Sequence, residues 1–208
     1  MAQKVLVFDV DGVIADSTPS IYRGVSAVCR FNGVEPPLLE FLCDHFWSPW
    51  EASYARMGVK LSYDEIWRVY DEGLGVYDPE VFPSLPPVLK KLADLGVPTA
   101  VLSANKSERV ENLLQKFGIH HLFAKVRCVT NSKILALRDL VKEFGVTPDN
   151  LFYLGDMVSD MEDAKVAGVR PIGFCSGYGT PEVLYRAGAE EVIFSHVEIF
   201  SLLNSKRR

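Results

Sequence analysis

Cysteine is scarce in this chain and never placed where chemistry would use it. Cys29, Cys43, Cys128 and Cys175 are scattered over 208 residues, with no C-x-x-C pair and no histidine at zinc-ligand spacing. That excludes a disulfide framework and a thiolate zinc site. Dispersed thiols are instead what a reducing compartment permits, so a cytoplasmic location is expected. Long apolar runs are missing as well. The first apolar stretch, Val5–Phe8, runs into Asp9 and Asp11, so it is neither a signal segment nor part of a membrane span. Positive charge is in deficit, with 22 Lys and Arg against 27 Asp and Glu for a net charge of −5. Such a balance leaves no electrostatic footprint for nucleic acid or an anionic membrane, and Lys206-Arg207-Arg208 reads as a solvated end. No internal repeat is present. What remains is a chain 48% hydrophobic, enough for the core of one large domain or of one domain carrying an insertion.

Short apolar runs alternate with helical periods. Val5–Phe8, Thr99–Leu102, Leu151–Leu154, Val169–Phe174 and Val192–Phe194 read as buried strands, with Lys125–Val129 a weaker candidate. Between them, Val88, Leu92 and Leu95 fall at i, i+4, i+7. Val110, Leu113, Leu114, Phe117 and Leu137, Leu140, Val141, Phe144 fall at i, i+3, i+4, i+7. Gly96, Gly118 and Gly145 mark the stops of these helices. This alternation predicts an α/β fold with a Rossmann-like, doubly wound parallel sheet.

Residues 16–82 break the rhythm. No buried strand appears there, and helical stretches are separated by Pro36-Pro37, Ser48-Pro49 and Gly73-Leu74-Gly75. The span 16–80 holds all three tryptophans and 11 of the 23 aromatics, with 11 acidic and 5 basic residues, so nearly all the net negative charge resides in it. It reads as a helical module inserted into an α/β core formed by 1–15 and 83–208. Its aromatics are expected to fill its own core rather than to form a ligand cage. Arg23, Arg30, Arg56 and Arg68 are candidates to meet a substrate carboxylate, although solvated helix faces explain them equally well.

The chemistry is expected at strand ends. Val5–Phe8 delivers Asp9-Val10-Asp11-Gly12, and residues two apart on a strand share a face. Two such carboxylates ~6 Å apart repel by roughly 3 kcal/mol at an effective dielectric of about 20, which calls for a cation or a shared proton. Ser103-Ala104-Asn105 follows the next strand and precedes a helix, an arrangement that cradles phosphate or simply caps the helix. Gly155-Asp156 and Asp160 form a second acidic group after Leu151–Leu154. Hard carboxylates with no cysteine or histidine nearby suit Mg²⁺. Lys133 opens a helix, where its charge opposes the macrodipole unless an anion lies in front of it. Asp163 has no evident purpose, and His120-His121 read as loop residues.

In this order, VLVFDVDGVIADS (5–17), VLSAN (101–105), Lys133 and YLGDMVSD (153–160) resemble the four motifs of the haloacid dehalogenase-like hydrolases. The resemblance spans the chain, with residues 16–82 lying where that family carries a helical cap. It is nearest the phosphoglycolate phosphatase-like branch, which also carries Gly177-Tyr178-Gly179 after the fifth strand. Two departures stand out. Ala104 separates Ser103 from Asn105, a form nearer to the β-phosphoglucomutase-like relatives, and Lys133 is followed by Ile134-Leu135-Ala136 where Pro-x-Pro is usual.

The resemblance implies Mg²⁺-dependent hydrolysis of a small phosphate monoester, phosphoglycolate-like or a sugar phosphate, through an aspartyl-phosphate. Asp9 is then the nucleophile and Asp11 the general acid and base. Ser103, Ala104, Asn105 and Lys133 hold phosphate, and Asp9, Asp11, Asp156 and Asp160 form the metal site. Asp11 argues for phosphoryl chemistry, because the dehalogenases lack an acid there. A phosphomutase of the β-phosphoglucomutase type would keep every residue named, whereas a catalytically idle binding protein on the same fold would be expected to have lost Asp9, Asp11 or Asp156, all three of which are present. A phosphoreceiver domain would be about half as long. The expected partner is a small phosphate ester, without nucleic acid or membrane, and the assembly a monomer or homodimer.

Overall fold

A computed structural model describes residues 3–39, 50–130, 132–175 and 179–204. Six parallel strands form the central sheet: β1 (Val5–Phe8), β4 (Thr99–Ser103), β5 (Lys125–Cys128), β6 (Leu151–Gly155), β7 (Arg170–Phe174) and β8 (Glu191–Ile193). Their order is β5-β4-β1-β6-β7-β8. Every strand expected from the sequence is present. β5 is half-buried at the sheet edge, which is why its apolar signal is weak.

Alternation along β1 sends its side chains into two separate cores. Leu6 and Phe8 join Leu89 and Leu92 of α4 (Leu85–Asp94), Val110 and Leu114 of α5 (Ser107–Lys116), and Ile199 of α9 (Ile199–Asn204). Val5 and Val7 face the opposite way, toward Leu137 and Leu140 of α6 (Ile134–Phe144) and Ala164 of α7 (Val158–Ala167). Helices on both faces make β1 and β6 apolar throughout, the pattern of a doubly wound sheet. Gly96, Gly118 and Gly145, at the ends of α4, α5 and α6, all have positive φ. The short helix α8 (Pro181–Ala187) lies between β7 and β8.

The helical residues between β1 and α4 have a core of their own. α1 (Thr18–Phe31), α2 (Trp50–Arg56) and α3 (Tyr63–Leu74) enclose Val25, Val28, Tyr54, Ile66, Val69 and Tyr70. Ser62 and Glu65 form a reciprocal capping box at the start of α3. Gly73, expected as a helix break, lies inside α3. A Cβ there would stand 2.0 Å from the Ala27 Cβ, so the glycine permits the close approach of α1 and α3. A two-stranded antiparallel ribbon, β2 (Ala15–Asp16) with β3 (Glu80–Val81), joins the chain on its way out of and back into the sheet region. Sequence patterning has no access to two-residue strands.

The chain runs outward from β1 through β4 to β5, then returns to β6 on the other side of β1. The strand order therefore reverses between β1 and β6, and ligands in open α/β sheets bind outside the carboxyl ends of strands at such a switch point. Asp9 and Asp156 immediately follow these two strands.

Candidate active site

Pairing extends one residue beyond β1, with Asp9 N donating to Leu154 O at 2.9 Å, and this fixes the Asp9 backbone beside the end of β6. Asp9 is 6% exposed. Its Oδ1 accepts from Val10 N at 2.7 Å, and its Oδ2 lies 2.6 Å from Lys133 Nζ. The ammonium also donates to Asp160 Oδ1 and to the Tyr153 hydroxyl, each at 2.7 Å. Lys133 thus stands at the start of α6 because anions lie in front of it, as its unfavourable place in the helix dipole implies. Burial works against its charge, but Asp160 and Asp9 outweigh that and hold its pKa above the ordinary lysine value.

Asp163 positions that lysine. Its carboxylate accepts from Lys133 N at 2.6 Å and from Ser132 Oγ at 3.1 Å, satisfying polar groups at the start of α6. Tyr153 is the other member missed by sequence reasoning. Its hydroxyl donates to Asp160 Oδ1 at 3.0 Å, and its position within an apolar strand disguises it as core.

Asp9, Asp156 and Asp160 each offer an oxygen within 4.8 Å of the others, and all three are buried. Burial, opposed by Lys133 and reinforced by Asp160, raises Asp9 to about 7. Burial and the carboxylates of Asp160 and Asp9 raise Asp156 well above the usual range. Asp160 has both oxygens engaged, Oδ1 as above and Oδ2 by Met157 N at 3.2 Å. Asp156 Oδ2 differs: it is buried without a hydrogen-bond partner. Gly12, with φ +74°, lets the turn after Asp11 press against it. A Cβ there would fall 1.7 Å from Asp156 Oδ2. A buried, unpartnered oxygen within a cluster of hard anions that contains a single ammonium fits a small divalent cation.

The Asp11 carboxylate is turned elsewhere. Its Oδ1 accepts from the Tyr77 hydroxyl at 2.6 Å and its Oδ2 from Asn105 Nδ2 at 3.1 Å. Of the four residues expected at the metal, Asp9, Asp156 and Asp160 bring carboxylates together; Asp11 is expected there through its backbone carbonyl, and its side chain stands apart. Asn105, expected among the phosphate donors, uses its side chain to hold Asp11 and to accept from Lys106 N. Ser103 is buried, with its Oγ accepting from Asn105 N at 3.0 Å.

These groups line one cavity of about 70 Å³, with Asp9, Asp11, Ala104, Asn105, Lys133, Asp156 and Asp160 on its polar side. Ile21, Trp50, Trp67 and Tyr70 of the helical module also line it, with Met157, which packs against that module's core. The expectation that the aromatics of the helical module serve only its own core therefore divides. Tyr54 does so, whereas Trp50 and Trp67, stacked at 5.2 Å, border the cavity. Trp47, Cys43, Gly177 and Tyr178 lie outside the described residues. The four module arginines are not among the lining residues. Arg68 pairs with Glu72, Arg56 reaches Ser53, Arg23 reaches Ser20 and two backbone carbonyls, and Arg30 is exposed on α1. His120 Nε2 lies 2.7 Å from Glu111 of α5, and neither lines the cavity.

Residues 6–174 match the model of the haloacid dehalogenase-like hydrolases. The chain belongs to that family. Its likeness to the phosphoglycolate phosphatase-like branch also holds: a protein named phosphoglycolate phosphatase from Synechococcus elongatus is 24% identical, over 88% of this chain and 89% of its own. A second of that name, from Pasteurella multocida, is 24% identical over 96% and 98%. The structure of a predicted phosphatase from Clostridium acetobutylicum superposes with a TM-score of 0.84 at 18% identity, covering 99% of this chain and all of that one. This member of the family is accordingly a hydrolase on the expected α/β fold. Cys29, Cys128 and Cys175 are free thiols, and among the described residues no helix is long and apolar enough to cross a membrane.

Proposed function

We propose that this hydrolase is a Mg²⁺-dependent phosphatase that cleaves small phosphate monoesters through an aspartyl-phosphate on Asp9. One observation carries the reading. A buried carboxylate at the end of β1 faces a second, unpartnered one at the end of β6, beside a buried lysine that can serve phosphoryl oxygens. The names of the curated relatives support the same class of reaction.

Asp9, Asp156 and the backbone carbonyl of Asp11 would hold the metal, with Asp160 anchoring Lys133 at its side. When bound, Mg²⁺ supplies the charge neutralisation that lets a carboxylate approach a phosphoryl dianion. The Asp9 oxygen attacks phosphorus as the ester oxygen departs, and Asp11 gives its proton to that alkoxide. Asp11 then takes a proton from water, whose oxygen attacks the phosphorus of the aspartyl-phosphate and frees both phosphate and Asp9. Lys133, Ser103 and the backbone amide of Ala104 orient the non-bridging oxygens. Tyr77 and Asn105 hold Asp11 in place. The helical module, residues 16–82, acts as a lid that excludes bulk water, hinged at the β2–β3 ribbon.

Phosphate release from a panel of small monoesters, with Mg²⁺ and with chelator, tests this. The native chain is expected to turn over only with the metal, and Asp9→Asn and Asp11→Asn are each expected to abolish release. Activity surviving either change reassigns the roles. Isomerisation of a sugar phosphate without phosphate release would make the protein a mutase.

A further inference from the structure

The cavity holds two unlike walls, and their contrast defines what the departing alcohol must be. On the catalytic side stand five carboxylates, Asp9, Asp11, Asp156, Asp160 and Asp163, against one ammonium, Lys133, already shared between Asp9 and Asp160. Even with a divalent cation bound, negative charge remains in excess. Among the described residues, α1, α2 and α3 bring no lysine or arginine to the lining of this cavity. Arg23, Arg56 and Arg68 are engaged elsewhere, and no lysine or arginine occurs between Arg30 and Arg56. A carboxylate one carbon away from the ester carbon would fall inside this small space, with no partner to offset its desolvation.

What the wall does supply is aromatic surface. The Trp50 and Trp67 rings stack on each other at 5.2 Å with 21° between planes, and Tyr70 meets both edge-on at 5.4 and 5.7 Å. Trp50 and Trp67 are only partly buried. Trp67 also borders an adjoining cavity of about 360 Å³, which shares Ala104 and Asn105 with the first. The second cavity adds Tyr63, whose ring meets Trp67 edge-on at 6.1 Å. Its cation, Lys106, is paired with Asp71 of α3. Past Trp67 the phosphoryl site therefore adjoins a second cavity that adds one aromatic ring, Tyr63, among mostly polar and small residues.

We infer that the substrate is a phosphate monoester whose alcohol carries an aromatic ring and no carboxylate, the ring packing against Trp67 and Trp50. This rests on the phosphatase reading above and narrows it. It also separates the chain from phosphoglycolate, whose name its curated relatives bear. Stacking against an indole, together with the missing cation, sets the discrimination at about tenfold or more.

The test compares benzyl phosphate, ethyl phosphate and 2-phosphoglycolate, all esters of primary alcohols, in the full chain with Mg²⁺. Benzyl phosphate is expected to give a kcat/KM at least about tenfold above each of the others. Trp67→Leu should bring it to within about twofold of ethyl phosphate, while Trp67→Phe retains most of the advantage. As a readout independent of turnover, and of whether Trp67→Leu folds, Asp9→Asn with Mg²⁺ should show tryptophan quenching by benzyl phosphate at about tenfold lower concentration than by 2-phosphoglycolate. Equal or better use of 2-phosphoglycolate, with release still abolished by Asp9→Asn, overturns the inference and leaves the phosphatase reading standing. Release from none of the esters, or release that survives Asp9→Asn, defeats the phosphatase reading and the inference with it.

Discussion

Tyr77 donates a 2.6 Å hydrogen bond to Asp11, joining a residue just before β3 to one just after β1. Burial, together with the charge of Asp11, raises the Tyr77 pKa far above its ordinary value, so the phenol remains a donor at any working pH. Tyr77 lies where the chain leaves the helical module, and Asn105 approaches the same carboxylate from the end of β4. Asp11 is thereby oriented from both sides of the cavity, by one group of the sheet and one that follows α3.

Tyr77→Phe removes one of these bonds while keeping the ring. A bond to a charged group contributes of order 1 kcal/mol or more, so kcat should fall about fivefold or more, with KM little changed. The fall should be concentrated in the proton-transfer step. Steady-state kinetics with a poor and a good leaving group check this: the loss is expected to be larger for the poor one. Equal loss for both would mean that Tyr77 acts only through the shape of the cavity.

The unpartnered Asp156 Oδ2 makes the metal-free protein carry an avoidable cost. Asp156 belongs to a triad in which one oxygen of each carboxylate lies within 4.8 Å of the other two, and its pKa is raised well above the usual range by burial first and then by Asp160 and Asp9. Asp156→Asn removes one negative charge from this group. Relief of a carboxylate pair about 5 Å apart at an effective dielectric near 20 is on the order of 3 kcal/mol. The metal-free variant should therefore melt higher than the metal-free native chain. Mg²⁺ should raise the native melting temperature and leave that of the variant nearly unmoved, and phosphate release should be lost. Thermal melts of both proteins with Mg²⁺ and with chelator settle the matter, and a variant that melts lower without metal contradicts the charge argument.

The sheet was legible because its strands are buried on both faces. Val5–Phe8 and Leu151–Leu154 present unbroken apolar runs, and a run that ends abruptly in Asp9 or Asp156 announces a carboxylate at a strand end. The partners of those carboxylates were harder to find. Lys133 betrayed itself by opposing a helix dipole, whereas Tyr153 sits in an apolar strand and resembles core, and Asp163 looks like any surface acid of α7. Each acquires its role from a contact distant in sequence, 20 residues for Tyr153 and 30 for Asp163. Periodicity cannot report such contacts. The aromatics of the helical module show the same limit: Tyr54 and Trp67 are alike in composition and pattern, but one is enclosed and the other faces the cavity. Asn105 was read as a phosphate donor because a strand end followed by a helix start favours anions, and only its side-chain geometry directs it to Asp11.

His196 links acidity to the turn that carries Asp11. The ring is fully buried and stacks on Phe174 at 4.4 Å. Its Nε2 lies 2.8 Å from Val13 O, which can only accept, so Nε2 bears the proton and Nδ1 accepts from Ser84 Oγ at 2.7 Å. Burial lowers its pKa to about 4, against 6.5 for the ordinary group, with the Val13 bond a smaller effect in the other direction. The neutral ring is thus the folded form. Above pH 6.5 neither state binds the extra proton and the residue makes no pH-dependent contribution. As pH falls from 6.5 toward 4 the unfolded chain takes up a proton that the folded chain refuses, and stability is lost. Over that window the loss amounts to about 3 kcal/mol, and below pH 4 it levels off. Urea unfolding between pH 7.5 and 4 should show this fall in the native chain. In His196→Gln, whose amide retains a donor and an acceptor but does not titrate, the slope should be shallower by close to one proton, even though the variant starts from a lower stability at pH 7.5. Parallel slopes for the two proteins would place the acid sensitivity in the carboxylates instead.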